Sequence, residues 1–178
     1  MQHESVTPGE LRQAIRNIPN FPKPGIQFKD ITPVLADPRL FRGCMDLLTA
    51  PFKPGQVDTV VGIDARGFIF AAGAAIKLNA GFVPVRKKGK LPHATYEQEY
   101  DLEYGTATIA IHTDAFAAGS RVLLVDDLLA TGGTAAAAAR LVEQAGARIV
   151  EVVFLIELGA LRGREKLRDW PVRSLVVF

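Results

Sequence analysis

An apolar run that opens into a glycine loop and a small-residue helix restricts the fold of this chain more than any other feature. The run RVLLVDD, residues 121–127, is almost continuously hydrophobic, as expected of a strand that is covered on both faces. The loop LLATGGT follows, and the alanine-rich segment after it has helical character and a stop at Gly146. A buried strand followed directly by a helix predicts an α/β fold with a mainly parallel sheet.

The same order of strand and helix recurs along the chain. DTVVGID is a short β-branched run that precedes the helical pattern of ARGFIFAAGAAIKLN. Further strands are predicted in GFVPVRK, TATIAIH and RIVEVVFLIEL, whereas the polar segment KGKLPHATYEQEYDLEYG has no clean period and is interpreted as a long loop. The sequence therefore predicts a mainly parallel sheet flanked by helices, with ligand sites beyond the carboxyl ends of its strands.

The N-terminal part of the chain is predicted to be less regular. A capping-box pattern in TPGE, residues 7–10, starts a helix that is expected to end near Pro19. The next segment, NFPKPGIQFKDITPVLADP, contains four prolines and a glycine, which favour extended, turning chain. A second helix is predicted to start at Asp37 and Pro38.

Composition limits the possible classes of function. The 178 residues suffice for one domain, and 48% hydrophobic with 22% charged residues is typical of a globular protein. A formal net charge of +2 does not indicate a nucleic-acid surface. With no secretory signal and no long apolar run, we expect a cytoplasmic protein that binds no membrane. The single cysteine, Cys44, has apolar neighbours at helical spacing and is expected to be buried without a chemical role.

The loop ATGGT, residues 130–134, is interpreted as a phosphate site. Small residues let successive backbone N–H groups converge on one point, and the start of the next helix adds partial positive charge. Asp126 and Asp127 precede the loop by a few residues, and carboxylates accept hydrogen bonds from vicinal hydroxyls. The order of acids and loop predicts a ribose 5-phosphate site, although acids that only end a strand and glycines that only turn the chain are the alternative.

These residues resemble a motif of a known family. VLLVDDLLATGGT is similar to the phosphoribosyl diphosphate motif of type I phosphoribosyltransferases. Other blocks that are similar to this family occur in the family's order: FPKPGIQFKDITPVLADP, GIDARGFIF, VRKKGKLP, YDLEYG and, near the end, GREKL. The resemblance implies the type I phosphoribosyltransferase fold as one domain over 1–178, with a small N-terminal hood of about 1–35, a long mobile lid loop from Leu91 to Gly105, and a homodimer.

The resemblance also implies a reaction. A 5-phosphoribosyl group would move from its 1-diphosphate to N9 of adenine, giving AMP and diphosphate. Mg²⁺ would be the cofactor, held mainly by the substrate with Asp126 and Asp127 nearby. Two alternatives are a transferase for hypoxanthine or guanine and a non-catalytic phosphoribosyl diphosphate sensor that regulates transcription. Such a regulator usually needs a nucleic-acid surface or a helix-turn-helix module, and neither is evident in the sequence.

Individual residues acquire expected roles from the resemblance. Asp126 and Asp127 are expected to bind the ribose. Arg66 is expected to bind the diphosphate, because a guanidinium can donate two parallel hydrogen bonds to phosphate oxygens. Other expected contacts are Ala130, Thr131, Gly132, Gly133 and Thr134 to the 5-phosphate, and Arg86, Lys87 and Lys90 to the diphosphate. Lys88 is interpreted as an ordinary solvated lysine.

The lid and the base segment complete the expected site. Glu103 reaches the purine N7 as general acid or hydrogen-bonding partner, and Tyr104 helps to seal the closed site against water. Phe28 stacks on the purine, while main-chain groups of Gln27 and Lys29 read its N1 and N6 edge. Gln27 stands where the family leads us to expect an apolar residue, and Lys29 where it leads us to expect arginine; for Phe28 an ordinary core role is the alternative.

Overall fold

The computed structural model of the chain describes residues 5–101 and 105–178. The chain divides into two compact units, residues 1–47 and residues 48–178. The segment of about 1–35 that is expected to read the base belongs to the first unit, and the predicted parallel sheet belongs to the second. In the described residues there is no helix with the length and apolar character needed to cross a membrane.

The first unit begins with helix α1 (Pro8–Ala14) and a small sheet. The predicted capping box is present, because the Glu10 backbone N–H donates to the Thr7 hydroxyl and the Thr7 backbone N–H donates to the Glu10 carboxylate. Strand β1 (Arg16–Pro19) then pairs antiparallel with β2 (Gln27–Asp30). The predicted helix end near Pro19 is therefore wrong, since a residue before proline disfavours helical geometry and this stretch is extended.

Two further helices follow, α2 (Thr32–Ala36) and α3 (Pro38–Thr49). The Asp37 carboxylate accepts hydrogen bonds from the backbone N–H groups of Arg39 and Leu40, at 2.8 and 3.0 Å, which confirms the predicted start of α3. Cys44 is buried in α3, and burial raises the pKa of its thiol to about 12. Its expected core position is confirmed.

The second unit is built on a seven-stranded sheet. Its strands are β3 (Thr59–Ile63), β4 (Gly81–Lys87), β5 (Thr95–Asp101), β6 (Thr106–His112), β7 (Arg121–Leu129), β8 (Arg148–Glu157) and β9 (Val172–Val177). They lie in the order β5-β6-β4-β3-β7-β8-β9, and all neighbours from β4 to β9 are parallel. The predicted mainly parallel sheet is confirmed.

Helices α4 (Gly67–Leu78) and α5 (Gly133–Gln144) cover opposite faces of this sheet. Val61 and Ile63 of β3 belong to the hydrophobic cluster that contains the buried alanines of α5. Gly62 lies between these two residues in β3, and a Cβ on it would lie 2.8 Å from the Cβ of Ala71 in α4, on the other face of the sheet. Because successive residues of a strand point to opposite faces, the central strands are apolar throughout.

Strands β3 and β7 are parallel neighbours, and their following strands lie on opposite sides. The chain passes from β3 to β4 in one direction and from β7 to β8 in the other. Such a reversal leaves a crevice beyond the carboxyl ends of the two strands, where α/β proteins bind their ligands. The Asp126–Asp127 pair and the turn after β3 both lie at that edge.

The segment predicted to be a long loop contains a strand. β5 pairs antiparallel with β6 from Thr95 opposite His112 to Asp101 opposite Thr106, so the prediction of an irregular lid is wrong over these residues. Tyr96 and Tyr100 are half-buried and pack against the cluster under α5, while the acids between them are exposed. The strand has the alternation expected of a half-buried β-strand, but its inward residues are tyrosines and a glutamine rather than aliphatic residues.

Two 3₁₀ helices, Gly159–Leu161 and Gly163–Leu167, connect β8 to β9. Leu167 of the second one is fully buried. Neither these helices nor β9 was assigned from the sequence. The block GREKL, noted only for its resemblance, forms the second 3₁₀ helix.

Leu124→Ala should destabilise the second unit by about 2–5 kcal/mol, because it leaves a cavity in the middle of β7. Leu124 is 0% exposed, whereas Leu161, which offers the same substitution at a surface position, is 43% exposed. Urea unfolding should show the large loss for Leu124→Ala only, with Leu161→Ala within about 0.5 kcal/mol of the parent protein. Equal losses for both variants would contradict the assigned core.

Candidate active site

A cleft of about 310 Å³ lies at the carboxyl ends of β3 and β7. It brings together the turn after β3, the acid pair of β7, one tyrosine of β5 and the start of α5. The lining residues are Ile63, Asp64, Ala65, Arg66, Tyr100, Asp126, Asp127, Leu128 and Thr134. Sequence prediction placed Arg66, Asp126, Asp127 and Thr134 in one site, and the structure does bring these four residues together.

The two carboxylates of β7 are held by different partners. Arg66 Nε donates to Asp127 Oδ2 at 2.9 Å, and the Asp127 side chain is only 7% exposed. Asp126 Oδ1 accepts the backbone N–H of Asp127 at 2.9 Å. A Cβ at Gly67 would lie 2.6 Å from the same Oδ1 and 3.1 Å from the Val125 carbonyl oxygen, so glycine at this position allows the turn to approach β7 closely. The Arg66 turn and the acid pair are therefore packed as one unit.

Two adjacent carboxyls, buried Asp127 and half-buried Asp126, set the electrostatics of the cleft. Loss of water and the neighbouring charge of Asp127 raise the pKa of Asp126 well above its usual value. Burial also raises the pKa of Asp127, although the positive charge of Arg66 opposes that shift. The pair thus favours ligand groups that donate hydrogen bonds to it, as sugar hydroxyls do.

Residues 130–134 form the turn into α5, as the sequence predicts. Gly132 has φ +79°, a left-handed conformation that favours glycine, and its carbonyl oxygen accepts the N–H of Ala136 at 3.0 Å. Within the described part of the chain, no side chain caps α5. The first-turn backbone N–H groups of a helix have no acceptor within the helix, and residues of this turn line a second, smaller cavity of about 80 Å³, whose lining is Asp126 and residues 128–135.

The 3₁₀ helix formed by GREKL packs directly against this turn. A Cβ at Gly132 would collide with the carbonyl oxygen of Gly163, and a Cβ at Gly163 would collide with the carbonyl oxygen of Ala130. The two backbones are thus in direct contact, and both positions exclude any other residue. This contact was not predicted from the sequence, in which its only signal is the glycine of the GREKL block.

The basic residues after β4 are placed less centrally. Arg86 Nε donates to Asp64 Oδ2 at 3.3 Å, and another guanidinium nitrogen donates to the Lys90 carbonyl oxygen at 3.1 Å. Lys87 and Lys90 are exposed residues of one turn. Of these three, none belongs to the cleft lining that the described residues form. Lys88 is paired with Glu97 at 2.7 Å but remains 63% exposed, as expected of a solvated lysine.

The residues expected to read the base lie together on β2. Phe28 packs edge-to-face on Phe21, with ring centroids 5.1 Å apart. The Asn17 side chain on β1 donates to Gln27 Oε1 at 2.9 Å and accepts from Lys29 Nζ at 3.1 Å. Asn17 therefore fixes the side chains of Gln27 and Lys29, the two residues that differ from the family expectation, and this role was not predicted from the sequence.

Two expected catalytic residues, Glu103 and Tyr104, lie outside the described residues, so their roles stay predictions. Tyr100 and Asp64 were missed: Tyr100 lines the cleft, and Asp64 both lines it and pairs with Arg86. The signal for Tyr100 was the alternation of TYEQEYD. In the described residues there is no cluster of three or more histidine, cysteine or acidic side chains suited to a metal.

Comparison with known families identifies the family of this chain. The profile of the phosphoribosyl transferase domain family matches residues 31–177. The chain therefore belongs to this family of phosphoribosyl transferases, and both the predicted fold class and the predicted resemblance are confirmed.

Relatives within the family carry a more specific name. The chain is 61% identical over 169 residues to an adenine phosphoribosyltransferase of Acidothermus cellulolyticus, a match that covers 94% of this chain and 96% of the relative. The crystal structure of the enzyme of that name from Rhodothermus marinus is 53% identical with a TM-score of 0.91, covering 96% and 98% of the two chains. A Saccharomyces cerevisiae structure, complexed with an imino-altritol bisphosphate and adenine, is 44% identical with a TM-score of 0.89, covering 94% and 97%.

Asp126→Asn should stabilise the protein at neutral pH. The amide removes the repulsion between two adjacent carboxylates, and its oxygen can still accept the N–H of Asp127. Folding raises the pKa of Asp126, so the parent protein loses stability as pH rises from about 4 through the raised value. The advantage of the variant should therefore grow over that range and shift the melting temperature by about 2–4 °C per kcal/mol gained.

Thermal unfolding as a function of pH tests this expectation. Asp169→Asn is the matched control, because Asp169 is an exposed carboxylate and its loss should leave the melting temperature nearly unchanged. A lower melting temperature for Asp126→Asn throughout the pH range would show that the Asp126 charge is stabilised rather than opposed in the folded protein.

Proposed function

We propose that this chain transfers a 5-phosphoribosyl group from 5-phospho-α-D-ribose 1-diphosphate to N9 of adenine, giving AMP and diphosphate, a reaction of purine salvage. The observation that carries the proposal is the cleft between β3 and β7, in which buried Asp127 and half-buried Asp126 adjoin a helix start that no described side chain caps. High identity to named adenine phosphoribosyltransferases supports adenine as the base. The whole chain acts as one functional domain, including the base-binding segment of about 1–35.

Each part of the cleft suits one part of the sugar donor. Residues 130–134 bind the 5-phosphate through their backbone amides and threonine hydroxyls, while Asp126 and Asp127 accept hydrogen bonds from the ribose hydroxyls. Arg66, oriented by Asp127, faces the diphosphate together with Arg86, Lys87 and Lys90. Catalysis comes mainly from alignment of the reactants and from stabilisation of the charge on the departing diphosphate.

The base and its proton are handled by other residues. Phe28 stacks on adenine, and main-chain groups of Gln27 and Lys29 read its edge. Glu103 shares a proton with N7 while N9 forms the new bond, and Tyr104 seals the site. Closure is needed because water would capture the electron-poor sugar carbon.

Mg²⁺ is the proposed cofactor and neutralises charge on the diphosphate. Among the described residues, three carboxylates line the cleft, but Asp127 is paired with Arg66 and Asp64 with Arg86, so the donor set fits an ion held mainly by substrate oxygens. We also propose a cytoplasmic homodimer that binds neither nucleic acid nor membrane. Exposed Ile69 and Ile76, two turns apart on α4, are consistent with a subunit interface, and Ile76 is 84% exposed.

A direct assay decides the reaction. The protein is incubated with phosphoribosyl diphosphate, Mg²⁺ and one nucleobase at a time, and the nucleotide and diphosphate are quantified. We expect AMP with stoichiometric diphosphate from adenine alone. IMP or GMP as the main product would favour the hypoxanthine or guanine transferase. Binding of phosphoribosyl diphosphate without diphosphate release would favour the sensor.

Gly132→Ala should raise the KM for phosphoribosyl diphosphate at least about tenfold, since the new Cβ collides with the Gly163 backbone and distorts the phosphate turn. Gly146→Ala is the matched control, because Gly146 also has a positive φ, +85°, but a Cβ there meets nothing within 4 Å. Gly146→Ala should lose about 1 kcal/mol of stability from its backbone conformation, and Gly132→Ala should lose more, because its Cβ also collides with the Gly163 backbone. An unchanged KM in Gly132→Ala would argue against a 5-phosphate site at this turn.

A further inference from the structure

The 3₁₀ helix Gly163–Leu167 is fixed to the sheet by an ion pair that the proposed reaction does not use. Arg164 Nε donates to both carboxylate oxygens of Glu157, at 2.8 and 2.9 Å, and a second guanidinium nitrogen lies 2.7 Å from Oε2. The Glu157 side chain is only 8% exposed, and these bonds hold the pKa of Glu157 below its usual value. The carboxylate therefore stays charged and keeps Arg164 in a single orientation.

The guanidinium also reaches the next strand. Arg164 donates to the carbonyl oxygen of Val172 in β9 at 2.9 Å, so it links the 3₁₀ helix to two strands at once. Leu167, at the other end of this helix, is fully buried. Both ends of the 3₁₀ helix are thereby fixed.

Gly163, the neighbour of Arg164, touches the phosphate turn. Its carbonyl oxygen occupies the space of a Cβ at Gly132, and a Cβ on Gly163 itself would collide with the carbonyl oxygen of Ala130. Because there is no side chain in this contact to absorb a movement, a displacement of Gly163 passes directly to the turn. The positions of the backbone amides in the residues that line the small cavity depend on the shape of that turn.

We infer that Arg164 is a positioning residue for 5-phosphate binding, acting through Gly163, with Glu157 as its anchor. The inference rests on the function proposed above. Arg164 touches no substrate; it sets the distance between the 3₁₀ helix and residues 130–132, and so fixes the amides that receive the phosphate. Loss of the fork should weaken binding of the sugar phosphate and leave the binding of adenine and of free diphosphate nearly unchanged.

The chain offers a matched control on the same strand. Arg173 forms a similar fork to Glu151, with Nε 3.0 Å from Oε1 and another nitrogen 2.8 Å from Oε2. Glu151 lies about 20 Å from Glu157 along β8, on the spacing of an extended strand. The Arg173 pair is therefore the same kind of partly buried arginine–carboxylate fork, but it lies far from the phosphate turn.

The variants are Arg164→Lys and Arg173→Lys, which keep the charge and remove the fork. Calorimetric titration with ribose 5-phosphate and with inorganic diphosphate measures the two subsites, and steady-state kinetics gives KM and kcat. For Arg164→Lys we expect about tenfold weaker ribose 5-phosphate binding, a similar rise in the KM for phosphoribosyl diphosphate, and kcat and the KM for adenine within about twofold. Arg173→Lys should lose comparable stability in urea with unchanged binding.

The outcomes separate the inference from the proposed function. If the parent protein binds no ribose 5-phosphate and releases no diphosphate, the proposed function and this inference both fail. If the parent protein binds ribose 5-phosphate and Arg164→Lys binds it equally well, only the inference fails. Equal weakening in Arg173→Lys would indicate general destabilisation and also overturn it. Should Arg164→Lys not fold, Glu157→Gln weakens the same pair, and the same binding results decide.

Discussion

The parallel pairing of β3 with β7 is the constraint on which the rest of the site depends. Gly62 lies opposite Val125, so the turn after β3 and the acids of β7 reach the same edge of the sheet. Their crossovers lead away on opposite sides, which keeps the space between the strand ends open. Arg66 therefore meets Asp127 at 2.9 Å although the two residues are distant in sequence. Without this pairing, the acids and the guanidinium would be unrelated surface groups.

The same pairing concentrates an electrostatic cost at the cleft. Burial raises the pKa values of Asp126 and Asp127. The positive charge of Arg66 opposes this shift mainly at Asp127. A ligand that donates hydroxyl hydrogens to these carboxylates replaces part of the water that folding removed. The cost of the unliganded pair is therefore recovered when the proposed sugar binds. Natural sites commonly keep such locally unfavourable groups because function requires them.

Local patterns predicted most of the second unit and part of the first. The continuous apolar run of β7 and the β-branched run of β3 indicated buried strands, and ATGGT indicated the turn into α5. The polar strand β5 was missed because its inward side chains, Tyr96 and Tyr100, belong to a segment dominated by charge. The first helix was predicted too long, since its apolar spacing continues through Ile18 into a stretch that pairs as β1. In both cases, antiparallel pairing with the next strand along the chain decided the structure.

Glycines show most clearly what one sequence can and cannot reveal about the site. Gly89 and Gly146 have positive φ with empty space around the missing Cβ, so they serve the backbone turn alone. Gly67 and Gly163 have ordinary φ values, yet a Cβ at either would collide with Asp126 or Ala130, so they serve close approach. The sequence does not distinguish the two kinds of glycine, and local turn conformation explains only the glycines with positive φ. The glycines that shape the cleft are of the second kind, or of both kinds at Gly132, because the site is formed where distant backbones meet.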